Sequence, residues 1–186
     1  MPPKVKITRE DIVGAALEIV RIGGAQAINA RTLASMLNCS TQPIFSNFAN
    51  MEALRLAVVE KADDLCREYM HREMERGEYP AYKANGMAYI RFAKEEKELF
   101  KLLYMRDRSG ETIPESDRHL EEMESIIYQN TGLSGLDARL FHLENWAYVH
   151  GIATMFATGF FDLEWDLVSK MLTDSYQGLR KQKGLE

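Results

Sequence analysis

The sequence predicts an all-α protein, and three observations predict it. Apolar positions recur with helical spacing along almost the whole chain, and nothing reads as a β-sheet. The apolar segments are punctuated by helix-starting and helix-stopping residues at plausible lengths. Hydrophobic residues make up 46% of 186, enough to build a packed core in one or two domains and too many for a disordered chain.

The elements follow in order. Ile12, Ala16, Ile19 and Val20 form the first apolar stripe. Thr8 is its expected N-cap, Asp11 stands at the third helical position, and Gly23-Gly24 ends it. Leu33 and Leu37 mark a very short second helix behind a capping Asn29; Ile44 and Phe48 mark a third. Asn50 caps a long fourth helix carrying Leu54, Val58, Leu65 and Tyr69, which Gly77 and Pro80 break. Helices are expected around 82–95 and 97–105, then a polar loop, "RDRSGETIPESD", and a helix near 115–130 with Leu120, Met123 and Ile127 inward. After the turn "TGLSGL", two apolar helices near 137–158 and 164–180 close the chain. There is no internal repeat and no low-complexity segment.

Composition narrows the function classes. No apolar run approaches the roughly 20 residues that span a bilayer. The opening "MPPKVKITRE" lacks the apolar core of a signal peptide. Cys39 and Cys66 fit no disulfide framework and no metal-ligand spacing, and are expected to be reduced packing residues in a cytoplasmic protein. The first 50 residues hold five basic and three acidic side chains; the remainder holds 18 and 25. A mildly basic head on an acidic body suggests that only the head meets a polyanion.

The stretch "CSTQPIFSNF", residues 39–48, is poor in charge and has a proline inside an apparent helix. A short helix, a three-residue turn "NCS" and another short helix make a helix-turn-helix. Asn38 tolerates the left-handed conformation of the turn, and Cys39 is small enough to plug the gap between helices. Ser40 or Thr41 is expected to cap the next helix, which puts Pro43 in its first turn, where a missing N–H costs nothing. Thr41 and Gln42 project from that turn, and both can donate and accept hydrogen bonds, as reading base edges in a major groove requires. Read from local pattern alone, the stretch is either a base reader or a plain helical corner.

Taken together, "ITREDIVGAALEIVRIGGAQAINARTLASMLNCSTQPIFSNFANMEALRLAVVEKA", residues 7–62, resembles the DNA-binding domain of the TetR family of bacterial transcriptional regulators. "WAYVHG", Trp146 to Gly151, is similar to the Trp-x-x-x-His-Gly signature of a C-terminal subgroup, the WHG domain. The resemblance implies a helix-turn-helix DNA-binding domain over 1–50 and a regulatory, effector-binding and dimerisation domain over 51–186. It places DNA contacts at Arg31, Thr32, Ser40, Thr41, Gln42, Phe45, Asn47 and Met51. Three of these depart from the family pattern. Phe45 replaces a tyrosine whose hydroxyl binds phosphate, a loss worth about 1 kcal/mol. Asn47 replaces a histidine and can still donate to phosphate. Met51 replaces a lysine.

The same resemblance implies a homodimeric repressor that binds a pseudo-palindromic double-stranded operator and is released by a small, largely apolar effector, with no membrane partner, metal or cofactor. Tyr69, Tyr89, Phe92, Tyr104, Met123, Ile127, Trp146 and His150 could line an effector chamber, or simply fill the core. Trp146 and His150 share a helix face, which His142 extends; without a carboxylate there it makes a poor metal site. The first of the last two helices, "ENWAYVHGIATMFATGF", is apolar on more than one side. Leu140, Leu143 and Ala147 lie along one side of the first, and Trp165, Val168, Leu172 and Leu179 repeat along the second. Together with the small Ala153 and Ala157 they are expected to form a two-fold dimer interface. The alternative is an all-α enzyme or helical adaptor that does not bind DNA. Against it, no phosphate-cradling glycine loop, nucleophile elbow or metalloprotease motif is present.

Overall fold

The structure, a computed structural model, describes residues 7–107 and 118–185. Every regular element among the described residues is helical. The helices are α1 (Arg9–Gly23), α2 (Ala30–Met36), α3 (Gln42–Asn47), α4 (Met51–Arg76), α5 (Ala81–Glu95), α6 (Lys97–Tyr104), α7 (Arg118–Thr131), α8 (Gly135–Thr158) and α9 (Trp165–Gln182), with one tight 3-10 turn at Ala25–Ala27. The chain divides into two compact units, residues 1–67 with 96–106, and 68–95 with 107–186. Most of the expected 106–117 loop, and the side chain of Leu120, lie outside the described residues.

In the first unit α1 packs against α2, α3 and α6. Ile12, Ala16, Ile19 and Val20 are buried, as their spacing requires. Thr8 caps α1 reciprocally with Asp11: Thr8 Oγ1 accepts from the Asp11 N–H at 3.1 Å, and the Asp11 carboxylate accepts from the Thr8 N–H at 2.9 Å. Those bonds hold the Asp11 carboxyl below its usual pKa. At the other end Arg21 grips Glu96 with two bonds, Nε to Oε2 at 2.8 Å and Nη2 to Oε1 at 2.7 Å, and also pairs with Glu18. This forked pair ties the end of α1 to the start of α6.

The second unit is built around α5, whose residues 84–90 are all buried. It packs mainly on α8, with α7 and α9 adding to the cover. Gly86 permits that approach: a Cβ there would stand 3.1 Å from Leu172 Cδ2 and 3.4 Å from Val149 Cγ2. Beyond it Ile127, Ala138 and Phe141 form an apolar cluster closed by Tyr82, Leu133, Tyr176 and Leu179.

The last two helices correct one expectation. Ala153 and Ala157 of α8 are buried within this chain, at 0% and 2% exposure. On α9, Val168 and Leu172 are buried too, Leu179 packs on the Phe141 cluster, and the Trp165 ring stacks on Phe156 at 5.8 Å. These residues cover their own core, because α5 occupies the side of α8 and α9 that the sequence left open to a second copy. Leu140, Leu143 and Ala147 do face outward.

Candidate functional site

The helix-turn-helix is assembled by local hydrogen bonds. Asn29 caps α2, its Oδ1 accepting from the Arg31 and Thr32 N–H groups at 3.0 Å each. Thr32 returns the contact, its Oγ1 accepting from the Asn29 N–H at 3.2 Å and donating to backbone carbonyls. The Thr32 hydroxyl is therefore committed to the cap, while Arg31 beside it is exposed. After α2, Asn38 takes φ 48°, the left-handed conformation, and the Cys39 N–H closes the turn on the Ala34 carbonyl at 2.9 Å.

α3 follows with Pro43 in its first turn and Ile44 and Phe48 buried beneath it. Thr41 occupies the cap position, but neither it nor Ser40 caps the helix: Thr41 makes no side-chain cap bond. Its backbone is already helical, φ −73° and ψ −13°, whereas a capping side chain needs an extended one. Ser40, Thr41 and Gln42 are all exposed, and so is Phe45. Asn47 is half-buried, with an amide N–H donating to the Pro43 carbonyl at 2.8 Å. Met51 is half-buried at the start of α4, next to Asn50, whose Oδ1 accepts from the Ala53 N–H at 2.8 Å.

Three further residues of the first unit lie on or beside these elements. Ser46 is exposed four residues after Gln42, and an i, i+4 count along α3 finds it. Arg9 lays its guanidinium over the Phe48 ring at 4.2 Å and donates to the Asn47 carbonyl at 3.5 Å, bracing the end of α3. Arg55 donates to the Ile28 carbonyl at 3.4 Å. Nothing local in the sequence signals the two arginine contacts, which span 38 and 27 residues.

The residues proposed for an effector chamber fall into separate groups. Tyr104 is in the first unit, with its hydroxyl 3.6 Å from Cys66 Sγ and its ring against Phe100. The other seven are in the second unit. Phe92, Met123 and Ile127 are fully closed in the core. Tyr69 meets Phe92 edge-on at 5.4 Å, and its hydroxyl donates to Glu95 at 2.9 Å. The remaining three come together: His150 Nδ1 is hydrogen-bonded to the Tyr89 hydroxyl at 2.9 Å, and Trp146 stacks on the imidazole at 4.8 Å. His150 is half-buried, and desolvation lowers its pKa, favouring the neutral ring. His142, about two turns before His150 on α8, is buried and bonded to the Tyr82 hydroxyl at 3.0 Å.

The arrangement in the first unit is a helix-turn-helix. Residues 82–174 match the family model described as the tetracyclin repressor-like C-terminal domain, half of the chain. The chain belongs to the TetR family of transcriptional regulators. The match spans Trp146–Gly151 without naming the WHG subgroup. No curated protein matches the sequence. Among solved structures, a protein of unknown function from Rhodococcus sp. RHA1 is similar over 96% of this chain and 98% of its own, with TM-score 0.75 and 22% identity. A TetR-like transcriptional regulator from the same organism is similar over 99% of both chains, with TM-score 0.70 and 17% identity. BioQ, solved with its double-stranded DNA operator, is similar over 91% of this chain and 98% of its own, with TM-score 0.52 and 19% identity. No helix among the described residues is long and apolar enough to cross a membrane.

Proposed function

We propose that the protein is a homodimeric repressor that binds a pseudo-palindromic operator through α3 and releases it when a small, largely apolar effector occupies the C-terminal half. The observation that carries this reading is the outer side of α3, held by the left-handed turn at Asn38 and presenting uncharged, exposed Thr41 and Gln42. Such groups read base edges, and phosphate contacts fall to flanking residues such as Arg31. The similar fold of BioQ, seen on an operator, supports the same use of this one. In functional terms residues 1–50 read DNA and residues 51–186 regulate and dimerise. The Tyr89–His150–Trp146 group sets a part-buried hydrogen-bonding pair beside an exposed indole ring, which suits an effector that is largely apolar and carries a hydrogen-bonding group. Two copies related by a two-fold axis would set their recognition helices about 34–36 Å apart, one turn of DNA.

The test is selection of duplexes from a randomised library by the full chain, followed by titration of the enriched duplex. Gln42→Ala should cost about 1–3 kcal/mol on the enriched duplex and little on random DNA. Equal losses on both would remove Gln42 as a base reader. Compounds that quench Trp146 should weaken operator binding, and operator should weaken the compound by the same factor.

A further inference from the structure

Gln42, Phe45 and Ser46 stand at i, i+3 and i+4 on α3 and share one face, while Ile44 and Phe48 take the buried side. Phe45 is 51% exposed. No residue of α3 is charged. The Ser46 hydroxyl is turned back onto the Gln42 carbonyl at 2.9 Å. The chemistry this face offers outward is therefore one amide and one phenyl ring.

A phenyl ring brings no charge and no hydrogen bond to a phosphate. Inside a major groove the one apolar group on a base-pair edge is the thymine C5-methyl. The neighbouring Gln42 amide matches the N6 and N7 edge of adenine. Three residues of helix separate the two side chains by about 4.5 Å along the axis, close to one base step of about 3.4 Å. We propose that Phe45 is a specificity-determining residue that packs on a thymine methyl group, and that each half-site carries this A·T pair about one step from the base pair read by Gln42. The inference rests on the DNA-binding reading above, and it gives the operator a defined chemical feature.

Replacing thymidine with deoxyuridine removes the methyl group and leaves base pairing unchanged, so no protein variant is needed for the central test. The enriched duplex is resynthesised with deoxyuridine at each thymidine in turn and titrated with the full chain. One position in each half-site should weaken binding about 4-fold, the worth of one methyl group, and the symmetric pair about 15-fold. Phe45→Ala, checked for unchanged helical content by circular dichroism, should bind the thymidine duplex more weakly and be indifferent to deoxyuridine at that position. Binding that is insensitive to demethylation at every thymidine would overturn the inference while leaving DNA binding intact. So would a Phe45→Ala protein that keeps the full sensitivity. Failure of the library to yield any enriched duplex would overturn both readings.

Discussion

At the scale of single residues, burial decides which side chains can react or titrate. Cys66 is buried beside Tyr104, and desolvation pushes its thiol up to about 12, so at pH 8 almost no thiolate exists to attack an electrophile. Cys39, at the helix-turn-helix corner, is only half-buried. Iodoacetamide should modify Cys39 alone in the native protein and both cysteines in denaturant, which mass spectrometry of the peptides would read; native labelling of Cys66 would contradict its enclosure. His150 behaves in the opposite sense. Its folded pKa lies below the unfolded value of about 6.5, so between the two the unfolded chain binds the extra proton. The contribution to stability is fully present above about pH 6.5 and is lost as pH falls from there through the folded value. Urea midpoints measured from pH 8 to 5 should therefore fall more steeply for the natural chain than for His150→Gln, whose amide takes no proton. Parallel curves would show that His150 keeps an ordinary pKa in the fold.

At the scale of elements, the sequence was legible wherever a helix end is decided by its own neighbours. Thr8, Asn29, Asn38 and Asn50 all do in the structure what their chemistry announces within three or four positions. Thr41 was misread because the same rule depends on backbone conformation, which side-chain identity does not disclose. The inward sides of α8 and α9 were misread for a different reason. α8 is apolar around much of its circumference and has no period to orient it, while the apolar stripe of α9 shows which side needs cover but not what covers it; the burial of α5 decides both. The Arg21–Glu96 grip, 75 residues apart, leaves no local trace at all. Helix propensity is likewise overridden by packing. Gly14 in α1 and Gly86 in α5 both lie inside helices, where alanine is favoured by up to about 1 kcal/mol. A Cβ at Gly14 meets nothing within 4 Å, whereas at Gly86 it presses on Leu172 and Val149. Gly14→Ala should raise the denaturant midpoint. Gly86→Ala should lower it, crowding costs in a packed core being about 1–3 kcal/mol. Equal gains at both positions would mean that α5, α8 and α9 are less closely packed than their geometry shows.

At the scale of the whole molecule, the open question is what covers the outer side of α8. Leu136, Leu140, Leu143 and Ala147 recur at i, i+4, i+7 and i+11, one straight stripe on the helix. The three leucines are 81%, 44% and 48% exposed, while the opposite side of the same helix buries Phe141, Ile152 and Phe156. Gly151 continues the stripe, and a Cβ there meets no atom of this chain within 4 Å. A second copy laid along this side would cover each leucine twice by symmetry, and the small Ala147 and Gly151 would let the two helices come close. Finishing the burial of one half-exposed leucine is worth about 1 kcal/mol, so each position counts for about 2 in the dimer. A glutamate there would also strand two charges in the interface, which costs more than the leucines gain. Ala153 and Ala157 are the wrong places to test this, since a charge at either would break the subunit itself. Leu143→Glu is the right one. Sedimentation should show the natural chain as a dimer at micromolar concentration and Leu143→Glu as a monomer of unchanged helical content. The monomer should bind a single half-site weakly and lose most of its affinity for the full operator, because the second recognition helix no longer arrives with the first. A natural chain that sediments as a monomer, or a Leu143→Glu protein that remains dimeric with full operator affinity, would place the subunit contact elsewhere.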